Sequence, residues 1–120
     1  MSDKKLTVTL TNRPPVRINP DNWPVIASAK RHDGQVECKA NTVYYVKVRQ
    51  HEDGRTIVYG AKTAGNGGQY ASFHEARAGV LLENGEIEAI VSAIHEVAVN
   101  AECDDLADDC IADLPAEELT

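Results

Sequence analysis

The chain has 120 residues, is 42% hydrophobic, and contains no stretch near the roughly 20 apolar residues that span a bilayer, so one globular domain without a helical membrane anchor is expected. Three cysteines, an odd number, do not suit a secreted disulfide framework, and MSDKKLTVTL opens on no apolar run, which together point to a cytoplasmic protein with free thiols. The net charge of −7 is unevenly spread: all 12 Lys and Arg lie in residues 1–82 with seven of the 19 acids, while residues 83–120 hold the other 12 acids and no base.

Leu6, Val8 and Leu10 alternate with Thr7, Thr9 and Thr11, the period-two pattern of a half-buried strand. Pro14 and Pro15 break it by removing two backbone donors, and residues 16–18 resume as an edge strand. From Asn22 to Arg31 the residues predict a short helix near Trp23, with Asn22 as its cap, Pro24 in the first turn and Gly34 beyond its end. Two β-rich stretches from Val43 to Thr63 then flank Asp53 and Gly54, and predict a hairpin on a tight two-residue turn. In that register Glu52 faces Arg55, Val48 faces Tyr59 and Val46 faces Ala61. Tyr44, Val46, Val48, Ile57 and Tyr59 form the core face, and Tyr45, Lys47, Arg49, Val58 and Lys62 the opposite one. Residues 35–40 are expected to add a further strand.

Gly65 to Gly68 reads as a loop, Ser72 to Glu75 as a brief helical turn with capping-box spacing, and Val80 to Leu82 as a short strand. Ile87, Ile90, Val91, Ile94, Val97, Ala98 and Ala101 follow helical spacing, with Glu86 and Glu88 suited to the positive N-terminal end. The expected fold class is α+β: an antiparallel sheet of three to five strands packed on one face by this C-terminal helix, plus the short helix near Trp23. Residues 1–101 make the domain, and residues 102–120 an acidic segment that is partly helical up to Pro115 or disordered.

No catalytic constellation stands out, and a protein that is not an enzyme is expected. The adjacent pairs His51/Glu52, His74/Glu75 and His95/Glu96 point to different sides of a strand or helix, so none forms a ready acid/base relay. Cys103 and Cys110 would lie about 10 Å apart along a helix axis, too far to share a zinc. Asp104, Asp105, Asp108 and Asp109 lack the glycine and ligand spacing of a calcium loop, and residues 65–68 match no phosphate loop, so neither metal nor cofactor is expected. Two macromolecular surfaces remain. The four aspartates can present negative charge to a basic partner, and Tyr45, Lys47, Arg49 and Lys62 combine phosphate-neutralising charge with a stacking ring. The charge asymmetry can also be satisfied within one molecule or across a homodimer.

The stretches LTVTLTNRPPVRI, NWPVIASA and VKVRQHEDGRTIVYG resemble a set of small proteins encoded by phages and prophages, over about residues 5–60. That resemblance, to proteins without an assigned activity, implies a phage or prophage context rather than a mechanism and transfers no functional residue. The expected order of helix, three strands and helix from Asn22 is similar to a double-stranded-RNA-binding domain, but the last helix opens on Asn84, Gly85, Glu86, Ile87 and Glu88 where phosphate-gripping lysines would stand. The leading expectation is an accessory protein that binds a host protein through its acidic surface, inhibiting a nucleic-acid-binding or defence protein. A nucleic-acid-binding module using the basic sheet face is the alternative.

Overall fold

The computed structural model of the chain describes residues 6–11, 13–34, 40–66, 75–76 and 78–115. In chain order the elements are β1 (Leu6–Val8), β2 (Val16–Ile18), a 3-10 turn (Pro20–Asn22), β3 (Val25–Gly34), β4 (Ala40–Gln50), β5 (Thr56–Asn66), β6 (Glu75–Ala76), β7 (Ala78–Leu82), α1 (Ile87–Asn100), a second 3-10 turn (Asp104–Leu106) and α2 (Ala107–Ala112). The fold is α+β. A four-stranded antiparallel sheet in the order β3-β4-β5-β7 forms the centre, and a small sheet in the order β2-β1-β6 forms a second layer. Within that layer β1 runs antiparallel to β2 and parallel to β6.

Both faces of the central sheet are covered. One packs Val46, Val48 and Val58 against Ile90, Ala93, Ile94, Val97 and Ala98 of α1. These α1 residues recur at helical spacing, so a single stripe of the helix meets the sheet. Ile87, expected in that stripe, lies at the helix start and stays 52% exposed. Gly60 allows the close approach: a Cβ there would stand 2.8 Å from the Tyr45 carbonyl oxygen and 3.0 Å from Val97 Cγ1. The other sheet face packs Tyr45, Ile57, Tyr59 and Ala61 beneath Leu6, Val8, Leu10, Ile18 and Trp23.

The hairpin forms, but its register differs by one residue from the expected one. His51 N–H donates to the Arg55 carbonyl at 2.8 Å and Gly54 N–H to the His51 carbonyl at 2.9 Å, so the loop holds three residues. Gly54 alone adopts positive φ, at 101°, as in a turn followed by a one-residue bulge, whereas the tight two-residue turn needs positive φ at Asp53 as well. Val48 therefore faces Val58 and Val46 faces Gly60. Because strand side chains alternate, that single slip moves Val58 to the helix side and puts Ile57 and Tyr59 with Tyr45, Lys47 and Arg49.

The expected helix over residues 22–31 is also corrected. Helical geometry near Trp23 is confined to the turn Pro20–Asn22, which Asn19 caps by accepting from Asp21 N–H, and the chain from Val25 is a ten-residue strand paired along β4. This strand takes the place beside the hairpin expected of residues 35–40, of which 35–39 lie outside the described residues. It also removes the helix-first order that resembled a double-stranded-RNA-binding domain. Gly65 and Asn66 continue β5 rather than opening a loop, and Glu75 is in β6 rather than a helical turn, while residues 67–74 lie outside the described residues.

The core does not stop at Ala101. Cys103, Leu106, Ala107 and Cys110 are buried in the same cluster as α1 and the sheet, so the acidic segment belongs to the domain through α2. α1 ends with Glu102 at φ 65°, where Cys103 N–H donates to the Ala98 carbonyl and Glu102 N–H to the Val99 carbonyl. Such a left-handed end usually carries glycine. It turns the chain sharply enough to lay α2 against β3.

Candidate functional site

The chain's charge is sorted onto different parts of the fold. On the helical layer the residues that face the core are apolar, and Glu88, Glu96, Asp104, Asp108 and Asp109 are exposed. Asp105 and Asp113 of this layer are engaged with β3, and Glu96 accepts a hydrogen bond from the Thr11 hydroxyl at 3.3 Å. Asp105 forms an ion pair with Arg31, whose guanidinium lies 4.3 Å from the centre of the Tyr44 ring. The hydrogen bond and charge of Arg31 hold the Asp105 carboxyl below the usual carboxylate range. Asp113 Oδ2 accepts from the Ser28 backbone N–H at 2.9 Å, which satisfies one outward donor on the edge strand β3.

Of the four aspartates singled out in the sequence, Asp104, Asp108 and Asp109 are thus surface groups, and Asp105 tethers the segment to β3. The two thiols among them are interior groups. Burial, and secondarily the Asp105 charge, pushes the Cys103 thiol up to about 11, and burial with Asp113 pushes Cys110 up to about 11 as well. Protonated, buried thiols are poor nucleophiles and poor metal ligands. Among the described residues no three His, Cys, Asp or Glu side chains gather where they could hold a metal ion.

The structure does not bring the basic set together as a free face. Tyr45 is 6% exposed beneath the N-terminal layer, and burial, with Tyr59 nearby, raises its hydroxyl to about 12. Arg49 Nε donates to the Tyr59 hydroxyl at 2.7 Å, and its Nη1 to the carbonyls of Trp23 at 2.9 Å and Pro20 at 3.5 Å. Lys62 is the register partner of Tyr44, one position away from Tyr45, and so falls out of the expected set. Lys47 lies half-buried with its ammonium 5.4 Å from the centre of the Tyr45 ring. Sequence reasoning misses Lys30, because a helix over residues 22–31 would point it elsewhere. As a strand residue opposite Tyr45 it is diagonal to Lys47, and the alternation of Ala27, Ala29 and Arg31 with Ser28 and Lys30 is the signal for it.

A third feature sits at the hairpin end, where Asp21, Asn22, Pro24, Ile26, Gln50 and His51 line most of an open groove of about 500 Å³. His51 meets the Trp23 edge at 5.1 Å between ring centres, and its Nδ1 lies 3.1 Å from Asp53 Oδ1 and 3.2 Å from Asp53 N. The acid that reaches His51 is therefore Asp53, not the adjacent Glu52. Asp53 is bound on its other side to Arg55, through the backbone N–H at 3.0 Å and Nε at 2.9 Å, and the Arg55 hydrogen bonds hold its carboxyl below the usual range. No hydroxyl or thiol among the described residues bonds His51, and the polar contacts of the His51–Asp53 pair lie within the hairpin turn. No family model, curated protein or solved structure matches the chain.

Proposed function

We propose that this protein is a non-enzymatic binding protein that offers its acidic helical layer to a basic partner. The observation that carries this reading is the division of labour within residues 83–115: most of their apolar side chains enter the core, Asp105 and Asp113 are tied to β3, and Asp104, Asp108 and Asp109 remain exposed with no basic partner among the described residues. Clustered negative charge speeds encounter with a positive surface and discriminates against acidic competitors. A host nucleic-acid-binding or defence protein, whose basic groove accepts phosphates, fits that chemistry, and inhibition by occupying the groove follows from it. A phage or prophage accessory role, in the context that the resemblance of residues 5–60 implies, is part of the same proposal.

The test uses the full chain as bait in a host extract, then the purified partner in association kinetics at several salt concentrations. A triple variant with Asp104, Asp108 and Asp109 changed to Asn is expected to associate more slowly with a flatter salt dependence, while its melting temperature stays within a few degrees of the parent. Asp105 is left unchanged, because its loss would also loosen the contact with Arg31. Equal association rates and salt slopes for parent and variant would sink the reading. Co-purification of nucleic acid without a stoichiometric protein would favour the nucleic-acid-binding alternative instead.

A further inference from the structure

On the sheet face that carries the N-terminal layer, β3 extends beyond the shelter of Trp23 and β1, leaving Ser28 and Lys30 exposed beside Lys47. Lys30 pairs with Tyr45 and Ser28 with Lys47, so the two lysines are diagonal neighbours at roughly 7 Å, and Arg49 follows Lys47 on the same face about 7 Å along β4. Three cations thus occupy one small area. Among the described residues none of them meets a carboxylate: Lys47 lies over the Tyr45 ring, and Arg49 is held by a phenol hydroxyl and two carbonyls. Asp21, next to the Pro20 carbonyl that Arg49 reaches, forms no ion pair with it.

The chain does not lack acids to place there. Asp105 is directed instead to Arg31, and Asp113 to the β3 backbone. Burial, then the charges of Arg49 and Lys30, hold the Lys47 ammonium below the ordinary lysine value, so the cluster repels itself in the free protein. An anion seated between the three groups would remove that repulsion.

We propose that Lys30, Lys47 and Arg49 form a binding site for a phosphate group on this face of the sheet. Three neighbouring cations match a multiply charged tetrahedral group better than a single carboxylate, and the guanidinium and ammonium groups supply several charge-assisted donors. The footprint spans one or two phosphates, which suits a phosphorylated small molecule or a short stretch of nucleic-acid backbone. The site is independent of the acidic layer.

The experiment titrates the full chain with pyrophosphate at low ionic strength and follows the backbone amides and the lysine side-chain nitrogens by NMR. Saturable shifts at Ser28, Lys30, Lys47 and Arg49 are expected, together with a rise of the Lys47 titration midpoint in the complex. Lys30→Gln and Lys47→Gln should each weaken binding by about tenfold, the loss expected for one charge-assisted donor. Arg13→Gln, at an exposed position outside the cluster, should leave it unchanged. Lys30 is exposed, so its variant keeps the test valid even if Lys47→Gln perturbs folding, which a thermal melt would reveal. A parallel titration with single-stranded DNA separates the sources: tighter, steeply salt-dependent binding that Lys30→Gln weakens assigns the site to nucleic-acid backbone, and binding of pyrophosphate alone assigns it to a small phosphorylated ligand. Absence of saturable shifts with either probe, or equal affinity in Lys30→Gln and the parent, would overturn the proposal.

Discussion

Replacing Leu106 by alanine tests whether the acidic segment is part of the structural core. The side chain is 3% exposed and packed in the cluster that contains Ile94, Val97 and Val48. Truncation removes three carbons, which at about 0.8 kcal/mol for each buried methylene amounts to about 2.4 kcal/mol of transfer free energy. The unfilled space raises the expected loss to about 3–4 kcal/mol, because surrounding side chains relax only partly. For a domain of this size that is a substantial part of a total near 5–15 kcal/mol, and corresponds to a fall in melting temperature of roughly 10–15 °C. A urea melt followed by circular dichroism should show a lower midpoint with an unchanged slope. Asp108→Asn, exposed on α2 just beyond Leu106, should stay within about 0.5 kcal/mol of the parent. If Leu106→Ala costs less than about 1 kcal/mol, the segment is peripheral and the assignment of its free and tethered acids fails with it.

Gly60→Ala should destabilise by about 1–3 kcal/mol, because the added methyl meets the Tyr45 carbonyl and Val97 and the backbone has little room to yield. An unchanged melt would show that α1 does not approach β5 so closely. The Asp105 carboxyl, held low by Arg31, contributes stability that is present above the ordinary aspartate range and is lost as pH falls through its lowered value. Asp105→Asn should therefore flatten the acid side of the stability profile in melts recorded across that range, and an identical profile would mean the pair has no thermodynamic role.

Much of the architecture is legible because its signals are local. The stripe of Ile90, Ile94, Val97 and Ala98 repeats at helical spacing whatever it packs against, the threonine alternation of residues 6–10 suits a half-buried strand, and Asp53 with Gly54 marks a turn between two β-rich runs. The sorting of acids into residues 83–120 is equally plain, so an acidic layer can be read from the order of the residues alone. Tertiary structure decided the rest. Asn22 and Pro24 carry helix-start chemistry, and Ala27, Ser28 and Ala29 have little strand preference, so the residues after Trp23 become β3 only because β4 offers a long row of backbone partners. The hairpin register turns on whether one loop residue or two adopt positive φ, and it determines which face of β5 meets the helix and which meets the N-terminal layer. Composition likewise conceals that Cys103, Leu106 and Cys110 are core residues, since three apolar side chains among many acids matter only once the turn at Glu102 folds them back. Local propensity differs by a fraction of a kcal/mol per residue between such alternatives, whereas burying those side chains contributes several, so packing determines β3, the register, and which of the acids and bases are left free to bind.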